Sequence, residues 1–297
     1  MTAATAPIVH AFHHADTGTW SYVVADPASA QAAIIDPVLD FDAKSGRTSQ
    51  TFARQLLQCV HDHHLQVRWL LETHAHADHL SAAQWLAAQL PDALVAIGQG
   101  IREVQRTFAP VFDLDDPLDP AHAAFDCLFG DDDSFMLGGI KARVIPVPGH
   151  TRDSVAYLIG DALFTGDSLF MPDAGTARCD FPGGDAAMLY RSIHRLFELP
   201  DDTRVFVCHD YGIKADDTRA GREPAGQTTI GEQKRANLHV REGVTEAEYV
   251  ALREARDATL PVPALILPAL QVNLRAGALP DRASNGIRYL RIPLDQF

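Results

Sequence analysis

Four side chains that can bind a metal ion fall within the short stretch Thr73–His79. They are His74, His76, Asp78 and His79. If the chain is extended there, His74 and His76 point to one side, because alternate residues of an extended segment share a face. A turn into a helix would then bring Asp78 and His79 round. Imidazole and carboxylate are the donors of zinc and non-haem iron sites, so the cluster predicts a metal-dependent enzyme.

The position of this cluster favours a metal site over a simpler alternative. The apolar run Val67–Glu72 comes directly before it and predicts a buried strand. Strand ends hold exposed side chains on rigid backbone, which is where α/β proteins form sites. The alternative is a polar loop in which Asp78 caps the following helix.

Three later apolar runs also end at one residue that can bind a metal ion. A single histidine is more often structural, but three such runs in order after the first cluster strengthen the prediction. The runs and their residues are Val144–Val147 with His150, Leu163–Thr165 with Asp167, and Val205–Cys208 with His209. The other histidines are interpreted as surface or structural residues: His10, His13, His14, His61, His63, His64, His122, His194 and His239.

The order of predicted elements is strands, then alternating helices and strands, then more strands. This order predicts two packed sheets with helices outside, a four-layer αββα sandwich of the α/β class. Residues 1–297 are interpreted as a single domain with a C-terminal extension from about residue 215. Predicted within it are a helix at Ser81–Leu90 and loops at Pro110–Pro120 and Ala215–Thr229. The tail Leu260–Gly277 mixes prolines and glycines with apolar residues and is the least readable part.

The composition and charge of the chain argue against a nucleic-acid-binding protein and against a membrane protein. The chain has 297 residues and a formal net charge of −14, so it repels a phosphate backbone and a nucleic-acid partner is disfavoured. No apolar stretch approaches the ~20 residues of a membrane span, and no secretory signal is recognised. A cytoplasmic location is therefore expected. The cysteines form no CxxC pair and are expected to be reduced thiols: Cys59, Cys127, Cys179 and Cys208.

The ordered set of motifs resembles the metallo-β-lactamase superfamily. That family shows HxHxDH, a histidine in PGHT, an aspartate in TGD and a final histidine, and the match covers the first two-thirds of the chain. The resemblance implies an αββα fold with the metal site at one edge of the sheets. Within the superfamily the chain most resembles the persulfide dioxygenases. The stretches that carry this are Thr73–His79, Pro148–Thr151, Phe164–Phe170, Gly175–Phe181, Leu189–His194 and Cys208–Tyr211.

The insertion at Ala215–Thr229 and the tail beyond Leu260 resemble a longer bacterial branch of that family. The resemblance implies one Fe(II) held by His74, His150 and Asp167, with positions left for O2 and substrate. The implied reaction oxidises glutathione persulfide to sulfite and glutathione in sulfide detoxification. A homodimer is common in the family.

The remaining residues of the cluster have two interpretations. They could support the iron ligands and orient water, or form a second metal site: His76, Asp78, His79 and His209. His209 is also a candidate catalytic residue. A two-zinc thioester hydrolase of the glyoxalase II kind would use the same seven ligands. The preference for iron rests on Arg178–Phe181, and the Pro-rich tail argues against the helical C-terminal region of glyoxalase II.

Candidate substrate residues are Arg178, Tyr211 and Asn273. The Arg178 guanidinium suits a glutathione carboxylate, or it forms a structural ion pair, for which Asp210 is one candidate partner. Cys179 and Cys208 are interpreted as buried filler or as reactive thiols. Two further classes are disfavoured. A non-catalytic protein on this fold would have lost ligands, and many β-lactamases carry cysteine at the position of Asp167.

Overall fold

Two six-stranded sheets form the centre of the molecule. The computed structural model describes residues 6–114, 124–214 and 221–296. The first sheet has the order β1-β2-β3-β6-β8-β9 and consists of Ile8–His14 (β1), Thr19–Ala25 (β2), Gln31–Ile35 (β3), Gln66–Leu71 (β6), Leu94–Gly98 (β8) and Cys127–Phe129 (β9). The second runs in chain order and consists of Ser134–Leu137 (β10), Ile140–Pro146 (β11), Val155–Ile159 (β12), Ala162–Phe164 (β13), Arg204–Phe206 (β14) and Gln227–Thr229 (β15).

A small third sheet and a set of helices complete the described elements. The small sheet pairs Val38–Asp42 (β4) with Arg47–Ser49 (β5) and Leu80–Ser81 (β7). The helices are Thr51–Asp62 (α1), Ala83–Gln89 (α2), Ile101–Phe112 (α3), Ala186–Leu196 (α4), Ile230–Ala236 (α5), Glu246–Asp257 (α6) and Ile266–Asn273 (α7). In the described ranges, no helix combines the length and apolarity that a bilayer crossing requires.

Strand β2 shows how the four layers arise. Tyr22 and Val24 face the second sheet, whereas Val23 and Ala25 face the helices on the outside of the first sheet. The second sheet repeats this arrangement, because Val144 faces the first sheet and Ile145 packs with α4. A strand that is buried on both faces carries apolar residues at consecutive positions, which explains the run Tyr22–Ala25. The predicted four-layer αββα sandwich is confirmed.

Three predicted segments differ in the structure. The helix expected at Ser81–Leu90 is the shorter α2, because Leu80 and Ser81 instead pair with Leu39 and Val38 of β4. In the segment Pro110–Pro120, the first residues belong to α3, whose buried apolar face continues to Phe112. The loop at Ala215–Thr229 ends in β15. Residues 115–123, with His122, and residues 215–220 lie outside the described residues.

The tail Leu260–Gly277, for which the sequence pattern predicted no element, contains α7. Its residues Ala269 and Val272 are buried in the same apolar core as α1 and the first sheet. Sequence periodicity missed the helix because nearly all its residues are apolar, which leaves no polar face to reveal the period. The helix α7 therefore packs against the first sheet.

Candidate metal centre

Strand ends gather the predicted ligands at one edge of the two sheets. The stretch Thr73–His79 follows β6, and the loops after β11, β13 and β14 carry His150, Asp167 and His209. Strands β3 and β6 are parallel, as are β13 and β14, so their carboxyl ends meet at this edge. Apart from Asp78, which is 28% exposed at its side chain, the predicted ligands are buried.

His74, His150 and Asp167 form one compact group. Their ligand atoms all lie within 4.8 Å of one another. The Nε2 atom of His150 lies 3.6 Å from Oδ2 of Asp167. We call these three residues the triad.

Hydrogen bonds on the outer side of the triad set the tautomers of its histidines. Thr73 donates its hydroxyl to Oδ2 of Asp36 at 2.9 Å, and Nδ1 of His74 lies 3.0 Å from the same hydroxyl. Since that hydroxyl proton is used on Asp36, Nδ1 of His74 must donate, and Nε2 carries the free lone pair. A lone pair directed inward is what a metal ligand requires.

His150 is fixed in the same way by a backbone carbonyl. Its Nδ1 lies 2.7 Å from the carbonyl oxygen of Arg178, which can only accept a hydrogen bond. Nδ1 therefore donates, and Nε2 presents its lone pair towards Asp167. Arg178 thus contributes to the site through its backbone.

A second group of possible ligands lies beside the triad. The ligand atoms of His76, Asp78, His79 and His209 also lie within 4.8 Å of one another. Nε2 of His209 lies 3.2 Å from Oδ2 of Asp78 and 3.3 Å from Oδ1 of Asp167. Asp167 therefore faces both groups.

Buried polar atoms without partners show that these groups fit a metal ion. Burying a polar atom without a hydrogen bond is costly, so such atoms point to a missing ligand. The buried side-chain atoms that lack a hydrogen-bond partner among the described residues include Nε2 of His74, Nδ1 of His76, Oδ2 of Asp78, Nε2 of His79, Oδ1 of Asp167 and Nε2 of His209. The donor chemistry fits Fe(II) in the triad, and it equally admits two zinc ions across both groups.

The electrostatics of the histidines differ. Burial, with neighbouring His76, lowers the pKa of His74 well below its usual value, and burial lowers the pKa of His79 to about 4. Both are therefore neutral at physiological pH. Burial alone would lower the pKa of His76, but the carboxylates of Asp36 and Glu72 raise it well above the usual value.

Asp36 is the hydrogen-bond partner of both His76 and Thr73. Nε2 of His76 lies 3.0 Å from Oδ1 of Asp36, which also accepts from the amide of Thr73 at 2.7 Å. Asp36 therefore ties His76 to the residue that orients His74. Sequence reasoning missed Asp36, although it follows the apolar strand β3 directly, and the rule that found Asp167 would have found it.

Asp153 also supports the cluster and was missed. It is buried and accepts a hydrogen bond at 2.7 Å from the amide of Ala75, between His74 and His76. Asp153 lies in the loop after β11 but does not follow its last strand residue directly, so strand position gave no signal.

The predicted pairing of Asp210 with Arg178 is wrong. Asp210 binds Arg222 at 2.6 Å, and Arg178 binds Asp180 through two hydrogen bonds of 2.6 and 2.7 Å. Another guanidinium nitrogen of Arg178 donates to the carbonyl of Pro261. Geometry therefore favours the structural ion pair that the sequence left open.

Asn273 lies beneath the cluster rather than in the substrate cleft. Its amide donates to the carbonyls of His76 and His79 at 2.8 and 2.7 Å and accepts from the amide of Ser81. These bonds hold the backbone of the ligand stretch, so we assign Asn273 to support instead of substrate contact. Tyr211 does line the cleft and is 71% exposed.

A cleft of about 420 Å³ opens onto Asp78, His150, Asp167 and His209. Its walls are lined by Ala77, Phe170, Ala174, Thr176, Ala177, Arg178, Phe181, Tyr211, Arg253, Arg256, Leu260 and Pro263. A larger cavity of about 650 Å³ reaches only His79 of the ligands. We therefore assign substrate to the smaller cleft, whose size is typical of small-molecule sites.

Both cysteines near the site are buried. Burial raises the pKa of Cys179 to about 12, and burial with Asp36 raises the pKa of Cys208 well above its usual value. A thiol that stays protonated is a poor nucleophile. This favours the interpretation that Cys179 and Cys208 are buried packing residues and not reactive thiols.

His239 is hydrogen-bonded to the cleft wall, and its ionisation should make the stability of the fold depend on pH. Its Nδ1 accepts from the amide of Thr176 at 3.0 Å, and burial, with Arg253 and Arg256, lowers its pKa from 6.5 to about 4. The unfolded chain gains the proton first, so stability present above pH 6.5 is lost as the pH falls towards 4. His239→Asn, which keeps an acceptor, should lose less stability than the wild type over this range, by up to roughly 3 kcal/mol.

Urea unfolding at a series of pH values measures this difference. The matched control is His64→Asn, at an exposed position outside the cleft. Equal pH slopes in wild type and His239→Asn would contradict the prediction.

A family model described as the metallo-beta-lactamase superfamily matches residues 15–209. The chain belongs to this superfamily. A "Beta-lactamase hydrolase-like protein" of Xylella fastidiosa is 50% identical over 99% of the chain, which spans only 66% of that relative's length. A "Probable metallo-hydrolase" of Burkholderia pseudomallei is 46% identical over 97% of the chain and 99% of that protein. "Glyoxylase B2" of Dictyostelium discoideum is 42% identical over 97% of each.

Persulfide dioxygenases are more distant relatives. The mitochondrial persulfide dioxygenase ETHE1 of Bos taurus is 29% identical over 87% of the chain and 84% of that protein. The crystal structure of ETHE1 from Myxococcus xanthus has a TM-score of 0.71 and 31% identity, covering 91% of this chain and all of that one. The family model establishes the superfamily, whose members are enzymes with a metal site.

Proposed function

We propose that the chain is a persulfide dioxygenase that oxidises glutathione persulfide at one Fe(II) held by the triad. The observation that carries this proposal is the compact group of His74, His150 and Asp167, with ligand atoms within 4.8 Å of one another. Two histidines and one carboxylate on one face are the ligand set of non-haem Fe(II) oxygenases. The likeness to ETHE1 in sequence and in fold supports the same reaction.

The bonding of His76 also supports a three-residue site. His76 groups with Asp78, His79 and His209 and not with the triad, and its Nε2 is engaged by Asp36. The free Nδ1 of His76 belongs to that second group, where side chains of this kind can orient ligands and bound water. We therefore assign this second group to support of the triad.

The proposed reaction consumes one O2 and one water for each persulfide and yields glutathione, sulfite and two protons. Iron supplies the electron sharing that lets ground-state O2 react with a thiolate, which redox-inert zinc cannot do. Asp78 and His209 line the cleft beside the triad and are placed to accept the released protons at Oδ2 and Nε2.

Oxygen uptake by the same protein loaded with either metal tests the proposal. Iron-loaded protein should consume O2 when glutathione persulfide is added, and zinc-loaded protein should not. If iron-loaded protein consumed no oxygen with this substrate, the proposal would fail.

A two-zinc hydrolase of glutathione thioesters is the second candidate. The complete group of Asp78, His79 and His209 beside Asp167 favours it, as does the likeness to Glyoxylase B2. The sequence argument against it is weakened, because α5, α6 and α7 make much of the C-terminal region helical. Hydrolysis of S-lactoylglutathione by zinc-loaded protein, without oxygen, would favour this candidate.

Arg256 is the cleft residue that we expect to recognise a substrate carboxylate. It is exposed, and its guanidinium forms no hydrogen bond or ion pair with another described residue, whereas Arg178 and Arg253 are engaged by Asp180 and Asp257. Hydrogen bonds to charged groups contribute about 1.5–3 kcal/mol, so Arg256→Ala should raise KM for glutathione persulfide roughly 10- to 100-fold. Iron content and kcat should be unchanged.

Steady-state kinetics of oxygen uptake measures this effect. Arg241→Ala is the matched control, because Arg241 is exposed and is not part of the cleft wall. An unchanged KM in Arg256→Ala would contradict the role, as would an equal rise in Arg241→Ala.

A further inference from the structure

A second set of metal-binding side chains lies outside the triad and its neighbours. His10, Cys59 and His63 place their ligand atoms within 4.8 Å of one another. The rings of His10 and His63 lie 4.4 Å apart, centroid to centroid. None of the residues around the candidate metal centre belongs to this set, so its chemistry is separate from the proposed reaction.

The fold brings these three residues together from two elements. His10 lies on β1, opposite Val23, and on the same face as Phe12, which packs against the core beneath α1. Cys59 lies on the buried side of α1, and His63 directly follows the last residue of that helix. The site therefore joins an edge strand to the end of a helix.

The side chains are free to bind a ligand. In the described part of the chain, none of the three makes a side-chain hydrogen bond or ion pair. Cys59 is 9% exposed, and His63 is exposed, so the set is open to solvent on one side. Two neutral imidazoles and a thiolate suit a thiophilic divalent ion, with water as the fourth ligand.

A metal ion that binds this set must displace the thiol proton of Cys59. Burial, with His63 nearby, lowers the pKa of His10, so this imidazole is neutral at physiological pH. Burial, with Asp62, raises the pKa of Cys59, so in the absence of metal the thiol keeps its proton. Binding would form a metal–sulfur bond as the S–H proton passes to solvent, which makes affinity increase with pH.

We propose that His10, Cys59 and His63 form a second metal site that binds Zn²⁺ or a similar thiophilic divalent ion. The bound ion would cross-link β1 to the end of α1 through its ligands. A ligand that binds only the folded state raises its stability, so zinc should raise the Tm of the wild type.

Cobalt is the probe for this site, because Co²⁺ bound to a thiolate gives a charge-transfer band in the near ultraviolet. Co²⁺ added to iron-loaded protein should produce this band, and added Zn²⁺ should remove it. Cys59→Ser should lose the band. His63→Ala changes an exposed side chain and should weaken Co²⁺ binding at least about tenfold.

Two controls separate this site from other sources of the band. His61→Ala, on the exposed side of α1, should bind Co²⁺ as the wild type does. Cys208→Ser should also keep the band, although Cys208 lies among the residues of the candidate centre. A band that survives Cys59→Ser but disappears in Cys208→Ser would overturn the proposal, as would the absence of any thiolate band in the wild type.

Discussion

Asp167→Ala is expected to abolish both iron retention and oxygen uptake. Asp167 supplies the only carboxylate of the triad, and its two oxygens face His150 and His209 at 3.6 and 3.3 Å. Loss of even an outer-shell partner costs about 10- to 100-fold in metal affinity, so loss of a direct ligand should cost more than about 100-fold. Metal analysis of the purified variant and an oxygen electrode measure the two effects.

Variants of the other ligands distinguish one iron from two zinc ions. His74→Ala and His150→Ala should behave as Asp167→Ala does. Asp78→Ala and His79→Ala should keep iron but change the rate of oxygen uptake. A two-metal enzyme would instead lose one of its two ions in Asp78→Ala and His79→Ala, and that result would contradict the proposed function.

The second large effect is expected for Asp257→Asn. Arg253 and Asp257 are 1% and 3% exposed and form an ion pair of 2.6 Å within α6. Arg253 also donates to the carbonyl of Thr176, and Asp257 accepts from the amide of Cys179. Removing one partner of a buried ion pair leaves the other charge uncompensated and destabilises a protein by about 3–5 kcal/mol. We expect this loss in the free energy of unfolding.

Urea unfolding with an unchanged m-value measures this loss. Glu246→Gln is the matched control on the same helix, because its ion pair with Arg191 is exposed and should leave the midpoint unchanged. A midpoint shift in Asp257→Asn no larger than in the control would contradict the prediction. Thr176 and Cys179 lie on either side of Arg178 in the chain, and the carbonyl of Arg178 orients His150. We therefore expect Asp257→Asn also to bind metal more weakly.

The sequence predicted the layers of the fold because burial on both faces leaves a clear pattern. The carboxyl-terminal halves of β2 and β6, Tyr22–Ala25 and Trp69–Leu71, are apolar, and the ligands lie just beyond strand ends. The helix α7 was missed for a related reason, since an almost wholly apolar helix has no polar face. Local pattern therefore predicts buried strands and amphipathic helices but does not reveal a helix that is almost wholly apolar.

The partners of charged side chains could not be predicted, because they depend on packing between distant segments. Asp210 meets Arg222 and not Arg178, and Asn273 binds the backbone of the ligand stretch almost 200 residues away in sequence. The ligand residues could be predicted from the sequence because each lies close to the end of a strand. Asp153, which supports the ligand stretch through the amide of Ala75, also acts across the fold and does not lie so close to the end of a strand.

The proposed function is tested most directly by the number of iron ions bound per chain and the ratio of O2 consumed to sulfite formed. The chain is loaded with Fe(II) without oxygen, freed of unbound metal, and mixed with glutathione persulfide and O2. We expect one iron per chain and equal amounts of O2 consumed and sulfite formed, with no hydrolysis of S-lactoylglutathione. Two metal ions per chain, with thioester hydrolysis and no oxygen uptake, would contradict the proposed function.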